Sequence, residues 1–378
     1  MRVIISLTSY PPRIKGVHKV IESLYRQTVL ADEIILYLSN EEFPGKERDI
    51  PFQLKELLGK KGFRIEWVGG NLKSHKKYYY ALKKFRKDIV ITIDDDKIYA
   101  DTMISELVES CYRFPNAVSA RLVRMIVKTN ETLEVYNKWK RRLEQYVDIP
   151  RTDLCAIGAG GVCYPPFVAD DDWFHMEGIS KLAESQDDLW LKYNEIISDV
   201  PIVYVKSPQE DVTIKDSQTV RLTSANLYEN ENDKCINELL TLMRNQNPEK
   251  YEVWFQSIMS VKEYYRNRFK MIIESVGAVR VYLYGAGKTA SIYMDVLEQL
   301  QLTEMLSAVI VTVKAGNPSE IKGVKIIQLD EVETEGKIGI IFGVGETKKS
   351  DIQHALREYD YQSIPLCMEE IKKYYIEW

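Results

Sequence analysis

Histidine is scarce. The chain of 378 residues has four, far apart, which argues against a metal site built on imidazole; a metal here would be held by oxygen. The five cysteines (Cys111, Cys155, Cys163, Cys235 and Cys367) are scattered, odd in number and form no CxxC pair. They read as reduced thiols of a cytoplasmic protein, not as a disulfide frame or a zinc site. No apolar run approaches the ~18 residues of a membrane span. The chain opens directly on the strand-like Val3-Ile4-Ile5-Ser6 without a signal-peptide pattern. Basic residues are not in excess: 51 Lys and Arg against 56 Asp and Glu leave a net charge of −5, so no nucleic-acid partner is expected. Neither an internal repeat nor a low-complexity tract is visible.

Aromatics are plentiful. The 24 tyrosines and 45% apolar content exclude a disordered chain. The length predicts about two to three domains, each able to bury a core without staples. Strand and helix patterns alternate over the first part. Val3 to Thr8 is a β-branched run, and Ser9-Tyr10-Pro11-Pro12 a turn. Val17, Val20, Ile21 and Leu24 fall on one helical face. Further strands are expected at Glu33–Leu38, Phe63–Val68 and Asp88–Ile93, the last preceded by a lysine-rich helix with Tyr79, Leu82 and Phe85 on one face. Such βα repeats build a mostly parallel sheet with helices on both faces, and ligands bind beyond the carboxyl ends of its strands. From Asn247-Pro248 a helical period running to Ile272 predicts one long amphipathic helix of about 25 residues. After Gly277 a second βα series begins, with strands at Val281–Tyr284, Ala308–Val313 and Ile338–Phe342. The expectation is an α/β protein: a first domain over residues 1–240, a helical connector over 241–276 and a smaller Rossmann-like α/β domain over 277–378.

Asp94-Asp95-Asp96 stands at the end of an apolar strand. Three adjacent carboxylates repel one another unless a cation neutralises them. Alternation lets Asp94 and Asp96 share one face, and hard oxygen ligands suit Mg²⁺ or Mn²⁺, with a diphosphate completing the shell. The plainer alternative is a solvated acidic turn. Asp187-Asp188 is a second acidic pair, for which two uses are open: a general base, or the start of a helix in the capping pattern Ser185-Gln186-Asp187-Asp188. The glycines of Gly158-Ala159-Gly160-Gly161 would allow a close backbone approach to a sugar, or simply make a turn. Asp170-Asp171-Asp172 reads as a loop without metal. Lys138-Trp139-Lys140-Arg141-Arg142 fits a helix whose basic face could dock on an anionic membrane surface, although a solvated face is the commoner fate.

Taken in order, several stretches resemble the GT-A glycosyltransferases, above all the inverting family 2 type. They are Ser6-Leu7-Thr8-Ser9-Tyr10-Pro11-Pro12-Arg13-Ile14, Lys76-Lys77-Tyr78 with Ala81-Leu82, Ile93-Asp94-Asp95-Asp96, Gly160-Gly161-Val162-Cys163-Tyr164-Pro165-Pro166 and Asp187-Asp188-Leu189-Trp190-Leu191. The resemblance covers about residues 1–240. It implies a nucleotide-sugar donor, with a UDP-sugar expected, and a divalent Mn²⁺ or Mg²⁺ held by Asp94 and Asp96. Thr8, Tyr10, Arg13, Lys76, Lys77, Asp94 and Asp95 would meet the donor. Gly160, Gly161 and Tyr164 would meet the acceptor or sugar. The later pair would supply the base; the family usually has Glu-Asp there, so Asp187 stands at the Glu position and Asp188 at the base. The implied product is a glycosidic bond on a saccharide or lipid-linked saccharide in bacterial surface polysaccharide synthesis, made in the cytoplasm or at the inner membrane face. Oligomeric state is not legible.

Gly285-Ala286-Gly287 follows a strand and opens a helix, the context of a dinucleotide turn. The acidic residue expected ~20 residues on is missing, and Val311-Thr312-Val313 ends on Lys314. This part, including Gly323–Ile327 before Leu329-Asp330-Glu331, resembles the small Rossmann-like N-terminal domain of bacterial sugar acyltransferases. The rival readings are an NAD(P)-binding oxidoreductase centred on this turn and a non-catalytic sugar-nucleotide-binding scaffold.

Overall fold

The computed structural model describes residues 1–129, 131–214 and 230–377. The opening β-branched run forms β1 (Val3–Thr8), buried on both faces, and pairs in parallel with β2 (Glu33–Ser39) on one side and β4 (Ile89–Thr92) on the other; β3 (Phe63–Val68) continues beyond β2. A strand covered on both faces by helices reads as a continuous apolar run, which is why Ile4, Ile5, Leu36 and Ile91 are fully buried. With β5 (Val118–Ala120), β6 (Val162–Tyr164) and β7 (Ile202–Tyr204) the sheet has the order β7-β5-β6-β4-β1-β2-β3. β6 runs antiparallel to both its neighbours; every other pairing is parallel. The expected α/β architecture with a large, mainly parallel sheet is what the chain forms.

Helix α1 (Val17–Leu24) buries Val17, Val20, Ile21 and Leu24, the face its spacing predicts. In α2 (Lys76–Lys84) the buried stripe is Tyr78, Ala81 and Leu82, continued by Phe85. Leu82 and Phe85 lie on the face the sequence predicts, whereas Tyr79 stays partly exposed against Phe174 and Tyr78 takes its place in the core. Lys76 and Lys77 are buried at the start of this helix. Helix α3 (Met103–Arg113) adds Met103, Ile104, Leu107 and Cys111 to the same core, and α4 (Asp187–Ile197) packs beyond it.

Two compact units emerge: Met1–Val127 with Glu131–Ile258, and Lys128–Asn130 with Met259–Trp378. Helices α5 (Glu231–Gln246) and α6 (Pro248–Ser257) belong to the first, α7 (Val261–Glu274) to the second. The single long helix expected from Asn247 is therefore two. Ile258 turns extended, and Ser260 restarts the helix with a capping box: its hydroxyl accepts from the Glu263 amide at 3.2 Å while the Glu263 carboxylate accepts from the Ser260 amide at 3.0 Å. Apolar periodicity runs through this break because both helices bury a face. The second unit holds a six-stranded sheet around β8 (Arg280–Tyr284), flanked by Ala308–Val311 and Ile338–Phe342, both parallel to it. Among the described residues no helix is long and apolar enough to cross a membrane.

Candidate active site

Strand order reverses at β1, whose neighbours β2 and β4 lead away in opposite directions. A crevice must open beyond the carboxyl ends of β1 and β4, the place where open α/β sheets bind ligands. A cavity of about 560 Å³ lies there, a volume suited to a ligand of a few rings. The sequence-predicted Thr8, Tyr10 and Arg13 line it from the end of β1, Lys76 and Lys77 from α2, Asp94, Asp95 and Asp96 from the end of β4, and Asp187 and Asp188 from the start of α4. Residues as distant as Thr8 and Asp188 thus share one wall system.

The charges interlock. Arg13 Nη1 meets Asp95 Oδ1 at 2.9 Å and Asp96 Oδ2 at 3.4 Å, and Ser9 Oγ donates to Asp95 Oδ2 at 2.5 Å. Burial pushes the Asp95 carboxyl up to about 6 against the pull of Arg13, and burial together with the Asp94 charge pushes Asp96 up. Lys77 Nζ lies between Asp94 Oδ1 at 2.7 Å and Asp187 Oδ2 at 2.9 Å. It is raised well above the ordinary lysine value: burial opposes its charge, but Asp187 and Asp94 outweigh that. Lys76 Nζ is held by Glu42 at 2.7 Å and Asn71 at 2.9 Å. Thr8 Oγ1 donates to the Tyr37 carbonyl at 2.8 Å, and the Arg13 guanidinium stands 5.7 Å from the Tyr10 ring centre.

The acidic pair behaves unequally. Asp187 is buried, yet its carboxyl is held low, because Lys77 and then His75 outweigh the cost of burial. Asp188 touches the cleft with part of its surface, but enclosure by protein, then the neighbouring Asp187 charge, push it up to about 8. Its Oδ1 accepts from the Gly158 amide at 3.1 Å. A Cβ on Gly158 would stand 2.5 Å from Lys77 Nζ and 3.3 Å from Asp188 Oδ1, so a larger residue there would displace the ammonium from its place between Asp94 and Asp187. The capping pattern is not realised: the N-cap is Gln186, and no side chain caps it. The pair is one carboxylate fixed as an anion beside one that titrates near neutrality, an arrangement suited to moving a proton.

No protein-family model matches the chain, and no curated protein matches it. Solved structures show distant likenesses. One is TarS 1-349 from S. aureus, in complex with UDP: 10% identity, covering 82% of this chain and 84% of that one, TM-score 0.37. Another is 4-diphosphocytidyl-2C-methyl-D-erythritol synthase from Anaerococcus prevotii: 16% identity, 60% and 97% coverage, TM-score 0.35. A third is UDP-glucose pyrophosphorylase from Acinetobacter baumanii: 11% identity, 65% and 98% coverage, TM-score 0.34. Likenesses this remote identify no family.

Three sequence-predicted residues sit elsewhere. Gly160 packs on Leu122, whose Cβ would be 2.5 Å from an added methyl, and Gly161, at φ 85°, faces Met103 and Leu107. These glycines let the chain close against neighbours; neither lines the cleft, whereas Ala159 between the turn's glycines does. Tyr164 is fully buried, edge-on to Trp173, in the interior behind Asp188 with Thr92 and Glu195. Sequence reasoning missed Glu42, Arg124 and Tyr136, which do line the cleft. The legible signals were a carboxylate just after β2 and an arginine alternating with apolar residues in Val123-Arg124-Met125.

The basic helix expected around Lys138–Arg142 does not form. Met125 and Lys140 exchange backbone hydrogen bonds at 2.8 and 3.0 Å, which draws the segment out straight, and Trp139 and Lys140 are buried. Asp170 to Asp172 occupy a surface turn, with Asp170 accepting from the Asp172 amide at 3.0 Å. In the second unit Gly285, at φ 115°, passes so close to the Gly343 carbonyl that a Cβ would be 2.9 Å from it. Lys314, where a dinucleotide site would want an acid, pairs with Glu331 at 3.3 Å. Among the described residues no group of three or more His, Cys, Asp or Glu is arranged to hold a metal alone.

Proposed function

We propose that the chain is an inverting glycosyltransferase that takes a sugar from a nucleotide-sugar donor, a UDP-sugar by expectation, and attaches it to a hydroxyl of a saccharide or lipid-linked saccharide. One observation carries this reading: a single cleft at the sheet's switch point joins the Asp94–Asp96 strand end to Asp188, a carboxyl pushed up to about 8. Thr8, Tyr10, Arg13, Lys76 and Asp95 would meet the nucleotide. Asp94 and Asp96 would hold a divalent Mn²⁺ or Mg²⁺. They fit it in part: Asp96 is an enclosed carboxylate pressed by a like charge, a strain that a cation relieves. Two carboxylates are too few alone, so diphosphate oxygens would complete the shell. When bound, such a cation neutralises charge on the departing diphosphate.

The residues do the rest. Ionised Asp188 takes the proton from the acceptor hydroxyl. The hydroxyl oxygen forms its bond to the anomeric carbon on the face opposite the diphosphate, and the nucleoside diphosphate leaves with the electron pair of the broken C–O bond. A base whose pKa lies near working pH combines availability with proton affinity. Asp187, kept anionic by Lys77, sets a negative charge near an oxocarbenium-like transition state. A thermal-shift panel of nucleotide sugars, with and without Mn²⁺, tests the reading. A donor at 100 times its dissociation constant stabilises by about 2.7 kcal/mol. Stabilisation by a UDP-sugar that Mn²⁺ enhances is expected; silence from every nucleotide sugar, with a response to NAD(H), would replace the transferase by the oxidoreductase.

A further inference from the structure

One wall of the cleft carries a cation that the chemistry above does not use. Arg124 lies in the short strand Val123–Met125, paired antiparallel with Leu154–Ala156, and stands opposite Cys155. Cys155 Sγ in turn lies 3.9 Å from the Asp188 carbonyl. Arg124 therefore enters the cleft on the side of the candidate base, whereas Arg13 and the Asp triplet occupy the strand ends of β1 and β4. Its guanidinium is held in orientation: Nη1 donates to the Tyr136 carbonyl at 3.0 Å, and its carbon lies 4.2 Å from the Tyr136 ring centre.

Four other cations of the cleft have carboxylate partners. Arg13 has Asp95 and Asp96, Lys77 has Asp94 and Asp187, Lys76 has Glu42, and Lys73 has Glu184. Lys97 donates to Thr213 at 2.7 Å beside Asp96. Among the described residues no carboxylate pairs with Arg124. It is half-buried, and burial lowers its pKa; the like charge of Arg141 adds to this, while Tyr136, Cys155 and Asp188 pull the other way without cancelling it. A guanidinium held by a carbonyl and a ring face, with no such ion pair, keeps part of its burial cost unmet. An anion arriving from the cleft offsets it.

We propose that Arg124 is a subsite for a phosphoryl group carried by the acceptor near the hydroxyl that Asp188 serves. This rests on the transferase reading and narrows its acceptor to a phosphorylated one. A planar guanidinium meets a phosphoryl group through two parallel N–H···O bonds.

The same contact could be made by the donor's diphosphate, so the test separates the two. Melting of the full chain is followed with glycerol 3-phosphate, with glycerol as the neutral control, in the absence and presence of saturating UDP. The expected result is a stabilisation by glycerol 3-phosphate, none by glycerol, that persists with UDP bound. In Arg124→Gln it should weaken about 10- to 100-fold, the value of a charge-assisted bond, while UDP still stabilises. Arg124→Lys, which keeps the charge but not the two parallel N–H···O bonds, should weaken it by a smaller factor and serves if Arg124→Gln does not fold. Loss of the effect once UDP saturates would assign Arg124 to the donor and overturn the proposal, as would an effect equal in the variants or none at all. Failure of UDP alone to bind would strike the transferase reading, while the glycerol 3-phosphate arm would still report on Arg124.

Discussion

Replacing Lys77 by Met is the sharpest structural perturbation of the cleft. The side chain keeps its length and apolar stem but loses the ammonium that sits 2.7 Å from Asp94 and 2.9 Å from Asp187. Removing one member of a buried pair typically costs 3–5 kcal/mol, because the partner is left charged and desolvated. Asp187 is 11% exposed and takes the full effect; Asp94, at 29%, recovers some hydration. The loss should therefore lie near the lower end, about 3 kcal/mol, or roughly 6–12 °C in melting temperature for a unit of this size. Its pH dependence is diagnostic. In the native protein Asp187 is held low and Lys77 high. The aspartate's contribution is present above the unfolded carboxylate value of about 4 and lost as pH falls below it; the lysine's is present below about 10 and lost above it. Between these limits the pair gives a plateau. In Lys77→Met, burial raises the orphaned carboxyls, so the folded state retains protons that the unfolded state releases, and stability should fall more steeply from about pH 5 to 8 than in the unsubstituted protein, where the raised Asp95 and Asp188 already contribute a fall. Calorimetry across that range reads it, and Lys77→Met with Asp187→Asn should recover part of the loss. A variant that melts with the native protein and follows its pH dependence would refute the buried-pair argument.

Asp96→Ala should keep the fold while losing Mn²⁺-dependent stabilisation by the donor; undiminished stabilisation in the thermal-shift panel would remove Asp96 from the metal site. Ser260→Ala removes the capping box of α7 and should cost about 1 kcal/mol, read as faster amide exchange in the first turn of that helix. With Asp188 pushed up to about 8 and active as its anion, kcat/KM should climb with pH until about 8 and then level; a profile already flat from pH 6 would contradict that titration.

The sheet was largely legible because its strands are short apolar runs set between helical patterns, and the Asp triplet because it ends one of them. Asp187 and Asp188 were legible as a pair, but their unequal chemistry was not. It comes from Lys77, 110 positions earlier, reaching Asp187 through the gap left by Gly158. Lys76 and Lys77 look like a solvated basic face until the stripe of α2 proves to be Tyr78, Ala81 and Leu82. Tyr164 and Gly160 sit in a motif beside the cleft, yet register turns the tyrosine inward and Leu122 fills the space over the glycine. Arg124 stands out in the sequence only as an arginine between apolar residues; that among the described residues it has no ion pair, in a cleft where Arg13, Lys73, Lys76 and Lys77 have theirs, is visible only in the structure.

The central claim, that Asp188 deprotonates the acceptor, is tested most directly by single-turnover transfer in Asp188→Asn beside Asp187→Asn, once a donor has been found. Asparagine keeps the shape of the side chain and an oxygen to accept from the Gly158 amide, but it cannot take a proton. The account predicts a loss of about 10²- to 10⁴-fold in rate for Asp188→Asn with donor affinity unchanged, and a smaller loss for Asp187→Asn. Full activity in Asp188→Asn would contradict it; with Asp187→Asn inactive the two carboxylates would exchange roles, and with both fully active the mechanism assigned to this pair would fall.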